Sequence, residues 1–278
     1  MNRRKLLEQL VGKLSVGRLV RSLLFIYLAI GAYGFFCADR LIFHPFPASY
    51  QDSQEILKLT TRDGAQISAL YLPNPQAIHT LLYSHGNAED LGDTRPILEQ
   101  IRRAGFAIFA YDYRGYGTSQ GTPTEQNTYR DIDAAYEYLT TQLKKSPGEI
   151  IVYGRSVGGG PSIYLASRQP VAGLILESTF TSVFRVVTRI PLYPFDRFPN
   201  RDRIGKIHCP VLFIHGTRDR VIPFWHSQEL FRHANEPKQL LAVEGADHND
   251  VMLVAEEQYF QALQTFSQQV VSQQNSAG

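Results

Sequence analysis

Glu149-Ile150-Ile151-Val152-Tyr153-Gly154-Arg155-Ser156-Val157-Gly158 is the stretch that decides the fold. Glu149 to Tyr153 is short, apolar and β-branched, the pattern of a buried strand. Gly158 to Arg168 then has the composition of a helix. A serine between two glycines at a strand-to-helix junction sits on a sharp turn. That turn forces the serine into a strained backbone conformation, so the residues two places either side must lack a bulky Cβ. The hydroxyl of Ser156 then projects above the sheet, and the amide of Val157 points to where a carbonyl oxygen would sit during attack. An ordinary Gly/Ser turn has the same letters, so the flanking strand and helix carry the reading.

Working outward, apolar runs alternate with helical patterns. Glu55 to Thr61 and Gln66 to Leu72 flank Arg62-Asp63-Gly64 and form a hairpin. Strands follow at His79 to Ser84, Ala107 to Tyr111, Gly173 to Leu176, Val211 to Ile214 and Gln239 to Val243. Helices are expected at Asp93 to Ala104, Thr128 to Lys144, Trp225 to Ala234 and Asn249 to Val271, with a frayed polar tail from Ser272 to Gly278. Thr179 to His208, rich in proline and aromatics, is expected to be a short lid rather than a cap domain. The alternation specifies an α/β fold, a mainly parallel sheet with helices on both faces. Chemistry in such folds gathers at the C-terminal ends of the strands.

The chain has 278 residues, 44% hydrophobic and 19% charged, enough to bury a sizeable core. Its net charge of +2 hides an asymmetry. Residues 1–40 hold seven of the 28 Lys/Arg and two of the 26 Asp/Glu, which leaves the rest of the chain with 21 against 24. A weakly acidic body offers no basic face to nucleic acid. Two cysteines, Cys37 and Cys209, suggest no disulfide framework. No motif asks for a metal, nucleotide or flavin, so no cofactor is expected.

Met1 to Arg21 is basic, with leucines at the spacing of a helix lying on an anionic membrane face. Ser22 to Ala38 has no charge over 17 residues, roughly 25 Å of helix. Arg21 and Arg40 can snorkel, so one span is expected, with residues 1–40 as anchor and 41–278 as the catalytic domain. The positive flank predicts a cytoplasmic N-terminus with the body across the membrane. A cleaved signal peptide at Ala29-Ile30-Gly31, giving a secreted or periplasmic protein, and a buried core helix are the competing readings.

A serine hydroxyl is nearly inert near neutral pH and needs a base in hydrogen-bond reach, and something to orient that base. Of the eight histidines, His248 lies in the loop after the last strand, at the end where Ser156 opens. His85 and His215 end strands before glycines, where packing is the commoner role. Asp219 follows the strand Val211 to Ile214 and gives the chain order serine, acid, histidine. Glu244, Asp247 and Asp250 are closer in sequence to His248 but badly placed to meet its Nδ1, and Asp112 reads as structural. The second oxyanion donor belongs to the loop after the third strand, where the backbone amide of Asn87 is the candidate beside that of Val157.

Ser84-His85-Gly86-Asn87-Ala88-Glu89-Asp90, Tyr111-Asp112-Tyr113-Arg114-Gly115-Tyr116-Gly117, Gly154 to Gly158, His215-Gly216-Thr217-Arg218-Asp219 and Gly245-Ala246-Asp247-His248-Asn249-Asp250 together resemble the α/β-hydrolase superfamily. More narrowly they resemble its cap-poor, membrane-associated alpha/beta-hydrolase domain-containing proteins, whose eukaryotic members include protein depalmitoylases. The resemblance covers about residues 41–265 and implies Ser156 as nucleophile, Asp219 as acid and His248 as base. Those depalmitoylases begin with a cluster of palmitoylated cysteines, whereas this chain has a basic helix and an apolar span holding only Cys37.

The expected activity is a serine hydrolase acting on an acyl ester or thioester, a small-molecule or lipid-like substrate met near a membrane. A serine aminopeptidase-like peptidase is the near alternative. A non-catalytic, membrane-tethered binding module is the alternative of a different class.

Overall fold

The computed structural model describes residues 15–277, with side chains to Asn275. Most of the basic segment Met1 to Arg21 therefore lies outside the described residues. The chain divides into two compact units, ending at Leu41 and beginning at Ile42.

Among the described residues the first unit holds one helix, α1 (Val16–Ile42), 27 residues long, whose last residue, Ile42, opens the second unit. At about 1.5 Å per residue it extends some 40 Å, so the helix runs well past the uncharged stretch at both ends. It is long and apolar enough to cross a membrane by length and composition. It is a candidate membrane anchor.

The second unit is built on one eight-stranded sheet of order β1-β2-β4-β3-β5-β6-β7-β8. The strands are β1 (Ile56–Thr60), β2 (Gln66–Leu72), β3 (Thr80–Ser84), β4 (Ala107–Tyr111), β5 (Ile150–Arg155), β6 (Gly173–Glu177), β7 (Val211–Gly216) and β8 (Lys238–Val243). The β1–β2 hairpin pairs antiparallel and β2 runs antiparallel to β4; every later pairing is parallel. The central strands β3 to β7 are covered on both faces, which is why they read as continuous apolar runs.

Between them lie α2 (Leu91–Arg103), α3 (Glu125–Thr141), α4 (Gly159–Ala166), α5 (Val183–Thr188), α6 (Asn200–Ile204), α7 (Trp225–His233), α8 (Val251–Val254) and α9 (Glu256–Ala277). Alternate residues of each strand point to opposite faces. Phe109, Val152, Leu174 and Phe213 pack with Ile132, Leu139, Ile163 and Leu230 from α3, α4 and α7. Ile108, Ile151, Ile175 and Leu212 pack with Leu98 and Ile101 of α2 and with Tyr259, Leu263 and Phe266 of α9. The expected lid contains two short helices, α5 and α6, which the run of prolines and aromatics did not announce.

The chain after Ser272 is a correction. It continues α9 through Ala277 instead of fraying. Val270 is buried one turn earlier, and Gln274 Nε2 donates to Gly148 O at 3.0 Å, so the polar end is tied down.

Candidate active site

The junction at Ser156 is a short 3₁₀ turn, Ser156–Gly158, between β5 and α4. Ser156 has φ of +52°, a left-handed conformation that a non-glycine residue adopts only under constraint. The glycines make the turn possible. A Cβ on Gly154 would lie 2.6 Å from Gly158 O, and one on Gly158 would collide with Ser84 O. Thr179 Oγ1 donates to the carbonyl of Ser156 at 3.0 Å and holds the turn from the β6 side.

Three strand ends converge there. Ser156 Oγ is 3.0 Å from His248 Nε2, and His248 Nδ1 is 2.7 Å from Asp219 Oδ2. All three side chains are buried. A carboxylate only accepts, so Nδ1 carries the proton and Nε2 offers its lone pair to the serine hydroxyl. Asp219 Oδ1 accepts the backbone N–H groups of Val221 and Ile222 at 2.9 and 2.7 Å. Burial opposes its charge, but hydrogen bonds from His215 and His248 outweigh that and hold the carboxyl below its usual range.

Two of the acids nearer to His248 in sequence, Asp247 and Asp250, are turned elsewhere. Asp247 accepts the N–H of Arg220 at 3.0 Å, and Asp250 accepts the N–H of Asp247 at 2.6 Å. Asp112 lies under the β3 loop instead, accepting from Leu91 N–H at 2.9 Å and Tyr50 O–H at 2.5 Å. Burial pushes its carboxyl up to about 8.

The loop after β3 carries Asn87. Its side chain helps hold that loop: Oδ1 accepts from Tyr116 O–H at 2.6 Å and His44 N–H at 3.0 Å, and Nδ2 donates to Ile42 O at 2.5 Å. Tyr113 O–H donates to His85 O at 2.7 Å, two residues before Asn87. The backbone amides of Asn87 and Val157 are thus carried on fixed segments, the second opening a helical turn whose first N–H groups lack intrahelical acceptors.

Two residues near the site were not singled out for it by sequence reasoning. His215, next to the last residue of β7, has Nε2 at 3.2 Å from Asp219 Oδ2 and 2.8 Å from Ile222 O, while Nδ1 faces Ser227 Oγ at 2.7 Å. It is a second histidine on the acid, and its position at a strand end was the available signal. Arg155 carries no such signal, since an arginine beside a turn usually faces solvent. Among the described residues, no group of three or more His, Cys, Asp and Glu side chains is arranged to hold a metal.

His226 is buried beneath the start of the lid, where Thr181 N–H donates to its Nδ1 at 3.2 Å. Burial, with help from the nearby His215 and Arg185 charges, pulls its pKa down to about 3. The unfolded chain takes up this proton near 6.5 and the folded chain does not, so the stability His226 confers is complete above pH 6.5 and is lost as pH falls toward 3. Replacing His226 with Asn keeps an acceptor for Thr181 and is expected to flatten that part of the acid decline. Urea unfolding at pH 7, 5 and 4 checks this; equal declines in both proteins would refute it.

Residues 75–193 match the family model described as serine aminopeptidase, S33. The chain is 44% identical over 227 residues to alpha/beta hydrolase domain-containing protein 17B of Homo sapiens, covering 80% of this chain and 78% of that protein. The chain belongs to the α/β-hydrolase superfamily. As a hydrolase of that superfamily it is also 42% identical over 220 residues to alpha/beta hydrolase domain-containing protein 17C of Xenopus laevis, covering 77% of this chain and 70% of that protein. Among solved structures, the esterase Pf2001 of Pyrococcus furiosus superposes on this hydrolase with a TM-score of 0.69 at 20% identity, covering 81% of this chain and 98% of the esterase. The α/β hydrolase GrgF from Penicillium gives a TM-score of 0.66 at 16% identity, over 78% and 98% of the two chains. At those identities the likeness is one of fold.

Proposed function

We propose that this hydrolase cleaves an acyl ester or thioester through an acyl-serine intermediate, with Ser156 as nucleophile, His248 as base and Asp219 as its orienting acid. The hydrogen-bonded line from Ser156 Oγ through His248 to Asp219 Oδ2 carries the reading. His248 takes the hydroxyl proton as Ser156 attacks the carbonyl carbon, and Asp219 stabilises the imidazolium. The amides of Val157 and Asn87 receive the oxyanion. His248 then protonates the leaving alcohol or thiol, and in the second half it activates the water that releases the acid.

An apolar acyl chain presented at a membrane suits the surroundings. The lid exposes Val187, Ile190 and Leu192, and α1 is a candidate anchor. Labelling with a fluorophosphonate probe tests the chemistry, since it needs an activated serine. Label on wild type that is lost in Ser156→Ala supports the reading; folded wild type that stays unlabelled refutes it. The match of residues 75–193 to a serine aminopeptidase model favours a second reading, amide cleavage at a peptide N-terminus. Chain-length panels of p-nitrophenyl esters against aminoacyl anilides separate the two.

The positive charge N-terminal to the uncharged stretch of α1, with Arg18 and Arg21 in its first turns, supports a cytoplasmic N-terminus and a body on the far side. In sealed cytoplasm-out vesicles the body is expected to resist added protease until detergent opens them. Digestion before detergent would reverse the orientation.

A further inference from the structure

We infer that Arg155 is a positioning residue that sets the oxyanion loop and the histidine loop against the nucleophile turn through one three-way guanidinium clamp. This rests on the serine-hydrolase reading. Arg155 is the residue immediately before Ser156, and its side chain is only 12% exposed. Its three guanidinium nitrogens go to two loops and to the end of β6. Nη1 donates to Glu89 Oε1 at 2.7 Å, Nη2 to Asn249 Oδ1 at 2.7 Å, and Nε to Glu177 Oε1 at 3.3 Å.

Each partner leads to a part of the site. Glu89 Oε1 also accepts the N–H of Gly86 at 2.5 Å, so two hydrogen bonds join Arg155 to the residue just before Asn87. The space is closed around that link: a Cβ on Gly86 would lie 2.6 Å from Glu89 Oε1 and 2.9 Å from Arg155 Nη1. Asn249 follows His248 directly, so Nη2 holds the loop that carries the base. Glu177, at the end of β6, is the fixed footing. Tyr153 O–H donates to its Oε2, and Tyr259 O–H from α9 does so at 3.0 Å.

Charge and shape both require arginine here. Two carboxylates and one amide oxygen are met in one plane by a fork of fixed geometry. A lysine ammonium on a flexible stem reaches one of them and leaves the others unpaired. The clamp touches neither the attacking oxygen nor the substrate. It acts on the relative placement of the two oxyanion amides and the imidazole, where a misplacement of about 1 Å lowers turnover roughly 10²-fold.

The test is steady-state kinetics on the full-length chain with an activated acyl ester, beside fluorophosphonate labelling and thermal melting. Label on wild type that is absent from Ser156→Ala establishes the hydrolase reading first and separately. Arg155→Lys and Arg155→Gln are then expected to lower kcat about 10²-fold with KM within about threefold. Affinity for a trifluoromethyl ketone, which forms the oxyanion, is expected to weaken in parallel. Asn249→Ala removes one arm from an exposed loop, so it tests the clamp even where Arg155 variants fold poorly. It is expected to lower kcat about tenfold at unchanged melting temperature, with Asn249→Asp restoring most of it. Wild-type kcat in folded Arg155→Lys, or in Asn249→Ala, would overturn the clamp and leave the hydrolase reading standing.

Discussion

Replacing Ser156 with alanine is expected to lower ester turnover by on the order of 10⁶-fold and to abolish covalent labelling, with little change in melting temperature. The hydroxyl is the only group at the turn that can form the acyl bond. Its loss leaves His248 with no proton to accept, so the whole line from Ser156 to Asp219 falls silent together. The backbone is the reason stability should survive. Ser156 already holds φ of +52° within a turn secured by Gly154, Gly158 and the Thr179 hydrogen bond, and alanine needs no larger space. Steady-state kinetics with purified variant, together with a thermal melt, measures both halves. Retention of more than about a hundredth of wild-type turnover would move the nucleophile elsewhere.

Asp219→Asn is expected to cost about 10⁴-fold in turnover while changing the site's shape little. The carboxylate accepts from His248 Nδ1–H at 2.7 Å, from two backbone amides, and faces His215 Nε2 at 3.2 Å. An amide in its place presents an NH₂ group toward one of those donors. Where that group faces His248, the proton is driven to Nε2, and the base can no longer take the serine proton. One control separates this from lost stability. The carboxyl of Asp219 is held below its usual value, so the stability it contributes is present above about pH 4 and lost only as pH falls further. At pH 7 the variant is therefore expected to lose that contribution as well, and the fraction folded must be measured beside kcat. A folded Asp219→Asn enzyme of near wild-type kcat would make Asp219 a structural acid.

The sheet was legible because its central strands are buried on both faces. Ala107 to Tyr111 is a run with no charge, and the structure places β4 over the same five residues. The hairpin at β1 and β2 was legible from alternation around Asp63-Gly64. Strand order was not, because β3 and β4 are both short, uncharged and fully buried and nothing in either run says that β4 sits beside β2. The end of α9 is not legible because the serines and glutamines beyond Val271 have no apolar face, and the hydrogen bond from Gln274 to Gly148 that ties them down crosses to a distant turn.

The residues brought together at the site were visible one by one, since Ser156, Asp219 and His248 each follow a strand end. Their supports were harder to see. Glu89, Glu177 and Asn249 are far apart in sequence, and only folding brings them to one guanidinium. His215 looked like a packing residue because its contact with Asp219, four residues on, depends on how tightly the loop after β7 turns. Interactions that cross loops leave no periodicity to read.

The most direct test of the central claim is acid-quenched mass spectrometry after rapid mixing with a p-nitrophenyl ester. The acyl-serine account predicts a burst of p-nitrophenol near one equivalent of enzyme and an acyl adduct on the peptide containing Ser156. Turnover with no adduct at any quench time and no burst, or with the adduct on another residue, would contradict it.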